Sequence, residues 1–238
     1  MKNLNHIYAF ALLMLFTSCK KSDHPEPAVD EPAEQVIAIV RDSVSYTIDG
    51  QNYAAGGVGL NSMHVGGQEA NRKLVINDNN PHNYTLVGNP DSVMFYQKNS
   101  ISTKSADITV TFLRKYLKQK QGVSWMPGRN DILKLFTVGK YALSEDFEWQ
   151  NTQNGIAIDV AAGSSYNAYN GVNTVVAASG FQKNSTFEIM SFTQATSGSY
   201  NLKAKFTATI LDAAGKQKKV ENGYLQLNFV PWYNIYGN

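Results

Sequence analysis

The chain has 238 residues, 21 basic against 19 acidic side chains, 43% hydrophobic residues and a single cysteine. That length suffices for one large or two small domains with a sizeable core. Near-balanced charge argues against a nucleic-acid partner, which needs concentrated positive charge, and one cysteine rules out an internal disulfide framework.

The first segment reads as an export signal. Lys2 supplies a positive start, residues 7–16 are ten consecutive apolar side chains, and Phe16-Thr17-Ser18-Cys19 closes the run. Such a core fits a signal peptide and is too short to cross a bilayer as a helix. The residues before Cys19 resemble a bacterial lipobox, where a small residue precedes a cysteine that is acylated and becomes the new N-terminus. The resemblance implies that residues 1–18 are a lipoprotein signal peptide. It also implies a palmitate-type anchor on Cys19 that holds the protein to a membrane. Acylation would consume the only thiol, leaving none for metal ligation or nucleophilic catalysis. Two or more acyl chains give lasting attachment without a spanning helix.

Residues 19–35 are then the acylated cysteine and a disordered tether. Pro25, Pro27 and Pro32 lie among acidic and small residues, with two basic and five acidic side chains between 20 and 35. This composition cannot bury enough apolar surface to fold. At roughly 3 Å per residue it would hold the following domain about 50 Å from the bilayer.

Residues 36–238 read as an all-β domain, a β-sandwich of short antiparallel strands with one short helix. A subdivision near 119–128 stays open. Residues 36–40 are an apolar run, and 43–48 form a strand that turns at Asp49-Gly50. Residues 56–67, rich in Gly, Asn, Ser and His, read as loop. Short strands are expected at 73–76, 84–87 and 93–97, with a loop at Asn77-Asp78-Asn79-Asn80-Pro81. Ile108, Val110 and Phe112 alternate with Thr109 and Thr111 at period two. The helix follows, capped by Asn130, with Asp131 in its first turn and Ile132, Leu133 and Phe136 on one face; Gly139 stops it. Strands resume at 156–160, 174–178 and 186–192. Leu202, Ala204, Phe206, Ala208 and Ile210 then alternate with Lys203, Lys205, Thr207 and Thr209, a half-buried strand with one wet face. Asp212-Ala213-Ala214-Gly215 and Asn222-Gly223 read as turns around two further strands, 217–220 and 224–230. No fixed-period repeat is present, which argues against propellers and solenoids.

Three features resemble the small β-rich lipoproteins of the Bacteroidota. One is the lipobox followed by Lys20-Lys21-Ser22-Asp23. Another is Leu135-Phe136 to Gly139-Lys140-Tyr141, leading into Gly155-Ile156-Ala157-Ile158. The last is Phe206-Thr207-Ala208-Thr209-Ile210-Leu211-Asp212, with Gly215 and Asn222-Gly223-Tyr224 after it. The resemblance covers the signal and roughly residues 100–230. It implies an outer-membrane, lipid-anchored location. In that group, acidic residues just after the lipid cysteine go with surface display. Lys20-Lys21-Ser22-Asp23 matches that pattern weakly, so periplasmic and cell-surface facing both stay open.

Catalytic signatures are scarce. There is no Gly-x-Ser-x-Gly elbow, and Gly56-Gly57-Val58-Gly59 lacks the strand–helix setting and lysine of a phosphate loop. Of three histidines beyond the signal, His24 lies in the tether, and His64 and His82 fall in expected loops. That is too few for a triad or a cysteine-free zinc site. Oxygen ligands at Asn77, Asp78 and Asn79 lack the spacing of an EF-hand, so neither a metal nor a cofactor is expected. Glu145, Asp146 and Glu148, beside Phe147 and Trp149, are the remaining enzymatic candidate. A glycosidase needs two carboxyls across the scissile bond, often with an aromatic ring under the sugar.

The aromatic residues are the most suggestive group. Trp125, Trp149 and Trp232 fall in or beside expected loops, and Tyr166, Tyr169, Tyr233 and Tyr236 join them. Exposed rings stack on the apolar faces of sugars or peptides while amides read the polar groups; buried, they would only cap the core. Trp125, Trp149, Tyr166, Tyr169 and Trp232 are thus the candidate ligand-binding residues. Asp42-Ser43-Val44 and Asp91-Ser92-Val93 are similar to the short O-glycosylation sequon of Bacteroidota exported proteins. The expectation is a non-catalytic, lipid-anchored envelope protein that binds a glycan or a protein partner. A hydrolase using the loop carboxylates, or a structural protein of the envelope or surface fibres, are the alternatives.

Overall fold

Strand alternation along the chain dictates what is buried. A computed structural model of the protein describes residues 41–76, 79–80, 83–120, 126–170 and 179–231. The signal, Cys19, the tether, the run 36–40 and the strand expected at 174–178 lie outside the described residues. So do Asn77, Asp78, His82, Trp125, Trp232, Tyr233 and Tyr236.

β1 (Asp42–Ile48) buries Asp42, Val44, Tyr46 and Ile48 and leaves Ser43, Ser45 and Thr47 half-buried. Asp49 and Gly50 take positive φ angles of 50° and 79°, and Ile48 pairs with Gln51 across them. This is the tight two-residue hairpin expected of Asp-Gly, leading into β2 (Gln51–Gly57).

β3 (Asn61–Val75) and β4 (Tyr84–Ser102) form a long antiparallel hairpin. The stretch expected as loop at 56–67 is therefore mostly strand: 56–57 end β2 and 61–67 start β3. Glycine content misled the reading. Gly66 lies opposite Tyr96, whose ring fills the place where a Cβ would project. The strands expected at 84–87 and 93–97 are one element. Glu69 pairs with Val93 and Asn71 with Gly88, so residues 89–92 bulge opposite Ala70 without ending the ladder.

β5 (Asp107–Leu117) pairs with β4 and with β7 (Gly155–Ala161). Between them lie α1 (Arg129–Leu133), a 3₁₀ turn at Lys134–Phe136, and β6 (Gly139–Tyr141). The cap differs from expectation: Gly128 occupies it without a side-chain bond, and Asn130 is already helical. The tighter 3₁₀ turn also swings Leu135 inward, so Ile132, Leu135 and Phe136 are buried while Leu133 is half-buried.

The remaining strands are β8 (Ser165–Asn167), β9 (Thr186–Gln194), β10 (Tyr200–Leu211) and β11 (Gln217–Phe229). β10 alternates as its sequence requires, with Leu202, Ala204, Phe206, Ala208 and Ile210 buried and Lys203 and Lys205 exposed. Asn222-Gly223 does not turn the chain. Phe206 pairs with Gly223 and Ala208 with Val220, so the dipeptide is a bulge within one strand, with Asn222 at φ 53°. Left-handed Asn serves either device, and the continuous partner strand β10 selects the bulge.

The described strands form one antiparallel sheet in the order β2-β1-β11-β10-β8-β7-β5-β4-β3. β9 also pairs along β10 from Tyr200 to Thr207, and β6 pairs with β9, so the sheet forks at β10. It curls over so that β1, β9, β10 and β11 face β4, β5 and β7 across a shared core. The fold is all-β with one short helix, as the sequence implies, although its longest strands exceed the short ones expected. Phe136 fills one part of the core, with its ring 4.9 Å from Phe112, 5.1 Å from Phe229 and 5.2 Å from Phe192. Tyr46 of β1 donates to the Asp107 carbonyl of β5, and burial lifts its hydroxyl pKa to about 12.

Candidate functional site

The outer face of β3, β4, β5 and β7 gathers most of the chemistry. Along β4, Phe95, Gln97, Asn99 and Ile101 are buried, so Tyr96, Lys98 and Ser100 point the other way. Register builds three rows across the strands. The rows are Gly66–Tyr96–Leu113–Gly155, His64–Lys98–Thr111–Ala157 and Ser62–Ser100–Thr109–Asp159. Ser100 and Thr109 share a hydroxyl hydrogen bond of 2.7 Å.

The loop between β6 and β7 is laid over this face and is wound around Asp146. That carboxylate accepts from the Thr152 N–H and hydroxyl, the Gln153 N–H and the Ser144 hydroxyl. The Asp146 carbonyl also accepts from the N–H groups of Trp149, Gln150 and Asn151. Glu145 is engaged as well, accepting from the N–H groups of Gly180 (2.7 Å) and Gln182 (3.0 Å). Asn151, at φ 55°, accepts from Gln68 Nε2 and the Glu148 N–H, both at 2.8 Å, and so ties the loop to β3.

This scaffold places Phe147 over the sheet in a second apolar cluster with Met94, Leu113, Ala157 and Tyr169. Phe147 meets Tyr96 at 6.0 Å and Tyr169 at 5.2 Å, edge to face. Lys98 Nζ lies 5.2 Å from the Phe147 centroid, 5.6 Å from Tyr96, and pairs with Glu148 at 3.0 Å. Trp149 is half-buried and stands edge-on to Tyr84 at 5.3 Å, and the His64 ring lies 6.0 Å from Tyr96.

Beneath the loop, Tyr169 donates a 2.6 Å hydrogen bond to Asp159. Burial raises the Asp159 pKa to about 6. Glu148 adds to the rise, while the Tyr169 bond and Lys98 oppose it. Burial also pushes the Tyr169 hydroxyl well above its usual range, helped by the neighbouring Asp159 charge.

The structure therefore unites Trp149 and Tyr169 on one face but gives them different roles. Trp149 is half-buried at the rim, while Tyr169 is only 2% exposed and cannot stack on a ligand. Tyr166 is 7% exposed and lies elsewhere, under Lys218 Nζ at 5.0 Å. At both tyrosines the ring packs back onto the sheet, the core-capping alternative of the two open to these aromatics. Trp125 and Trp232 are outside the described residues. Glu145 and Asp146 do not face each other across a cleft; their oxygens are taken by their own loop and by residues 180–182. The serines of the Asp-Ser-Val triplets sit within strands, Ser43 in β1 and Ser92 at 8% exposure in β4, so neither occupies a loop.

Sequence reading missed Tyr96, Lys98 and Asp159. For the first two no pattern marked the face: residues 93–100 run apolar then polar, and the polar Gln97 and Asn99 turn inward. For the third the signal was a lone carboxylate inside the apolar run Ile156-Ala157-Ile158-Asp159-Val160. The resulting surface offers half-buried rings, an exposed imidazole, hydroxyls and one ion pair, a combination suited to stacking and hydrogen bonding. No protein-family model matches the chain, and neither a curated protein nor a solved structure matches it.

Proposed function

We propose that the protein is a non-catalytic binding or accessory module, anchored to the outer membrane through lipid on Cys19. Its outer β3–β4–β5–β7 face engages a glycan or a protein partner. One observation carries this reading: the half-buried rings of Tyr84, Tyr96 and Trp149 lie on one sheet face beside the Lys98–Glu148 pair, with Phe147 buried beneath them as packing. The lipobox-like residues before Cys19 and the Bacteroidota-like pattern support the location. A hydrolytic role draws no support from Glu145 and Asp146, which organise their own loop. Calorimetry of the full chain against surface polysaccharides tests the binding reading. Saturable binding that Trp149→Ala weakens supports it; hydrolysis without binding overturns it. For the anchor, Cys19→Ser should abolish incorporation of a labelled palmitate analogue.

A second reading, a structural envelope or fibre protein, draws on a different observation. β2 and β3 end the sheet, and among the described strands each pairs on one side only. Edges of this kind accept strands from another copy. Polymers on the cell surface after proteolysis of the tether would favour this reading over the first.

A further inference from the structure

A recess of about 320 Å³ opens where β5, the 3₁₀ turn, β6 and the start of β7 meet. It is lined by three cationic side chains, Arg114, Lys134 and Lys140, together with Tyr141, Asn154 and Leu135. Among the described residues, no acidic side chain lines it. The nearby carboxylates already have partners. Asp131 pairs with Lys134 at 2.7 Å, and Glu188, which faces Lys140 across the β6–β9 ladder, pairs with Lys205 at 3.1 Å. Arg114 is held in place from two sides. Its Nη1 donates to the Lys134 carbonyl at 3.3 Å, and its guanidinium carbon lies 5.9 Å from the Tyr116 ring centroid. Tyr116 is itself fixed by donating to the Asp131 carbonyl at 2.9 Å. The carbonyl bond is the one hydrogen bond of the guanidinium among the described residues, which leaves most of a five-donor fork unspent.

We propose that this recess is an oxyanion-binding site that takes the carboxylate or sulfate group of an acidic ligand. The planar fork of Arg114 receives two oxygens of the group in parallel, and Lys140 contributes a point charge at the rim. Lys134, shared with Asp131, adds less. The site uses none of the residues of the outer β3–β4–β5–β7 face named above as ligand contacts, so it stands or falls separately from the proposed function.

Calorimetric titration of the full chain in detergent with sodium glucuronate, sodium sulfate and sodium phosphate tests it. Saturable binding with a dissociation constant on the order of 1 mM is expected for at least one anion. The anion preferred among the three assigns the chemical group. Arg114→Gln should weaken binding about tenfold and Arg114→Lys by a smaller factor, since the charge stays but the fork is lost. Lys140→Gln, a change at an exposed side chain, should weaken it about threefold and carries the test if the Arg114 variants fail to fold. Lys203→Gln, an equal charge change at another exposed lysine, should leave it unaltered. Absence of saturable binding to all three anions, or an equal loss in Lys203→Gln, overturns the proposal.

Discussion

Tyr169 donates a 2.6 Å hydrogen bond to an Asp159 carboxyl that burial holds at a pKa of about 6, against an ordinary value of 3.8. The folded state therefore favours the protonated acid. The stabilisation this brings is complete below the unfolded value and is lost as pH rises through about 6. The difference corresponds to at most about 3 kcal/mol. Asp159→Asn keeps an acceptor for Tyr169 but cannot ionise. Urea unfolding should show the variant matching wild type near pH 4 and exceeding it in stability at pH 7.5. Parallel curves at all pH values would refute this account.

Asp42 is 1% exposed and receives the N–H groups of Asn61 (3.0 Å) and Asn228 (2.7 Å), joining β1, β3 and β11. Asp42→Ala strands two backbone donors near the interior and should cost about 3 kcal/mol. Asp42→Asn retains one acceptor and should fall between. Chemical denaturation of both variants checks the order.

A Cβ at Gly223 would lie 2.5 Å from the Phe206 carbonyl oxygen and 2.6 Å from its ring. Because the obstacle includes backbone, it cannot swing aside. Gly223→Ala should destabilise by roughly 2–3 kcal/mol through overpacking at the bulge. An unchanged melting temperature would show that β11 can be repositioned there.

The carboxylates of the β6–β7 loop should separate cleanly by role. Asp146→Ala removes the acceptor around which the loop winds and should cost about 2–4 kcal/mol, with loss of the near-ultraviolet signal of Trp149. Glu148 is 40% exposed at its side chain and joined to one lysine, so Glu148→Gln should change stability by less than about 0.5 kcal/mol. A large effect of Glu148→Gln on hydrolysis of any polysaccharide would revive the glycosidase alternative.

The parts of the fold legible beforehand are those where local pattern and tertiary environment agree. β10 alternates because one side faces the core and the other faces water, and the Asp49-Gly50 hairpin needs only two residues to specify it. Reading broke down where a local signal had two structural uses. Asn222-Gly223 suits a turn as well as a bulge, and Gly66 reads as loop until the Tyr96 ring is seen occupying its missing side chain. Tyr166 and Tyr169 sit in a polar, glycine-bearing stretch, which hid their burial. The candidate face was less legible still. Tyr96, Asp159 and Phe147 are far apart in sequence and meet only through strand register and the winding of a loop.

The Asp42 junction also has a mechanical meaning. β1 lies between β2 and β11 and is the first described strand after the segment that leads back to Cys19. A pull along the axis of β1 would run perpendicular to the hydrogen bonds of both ladders. Those bonds would then be loaded together in shear instead of opening one after another. Under the proposed anchoring through Cys19, traction would reach the domain at a strand paired on both sides.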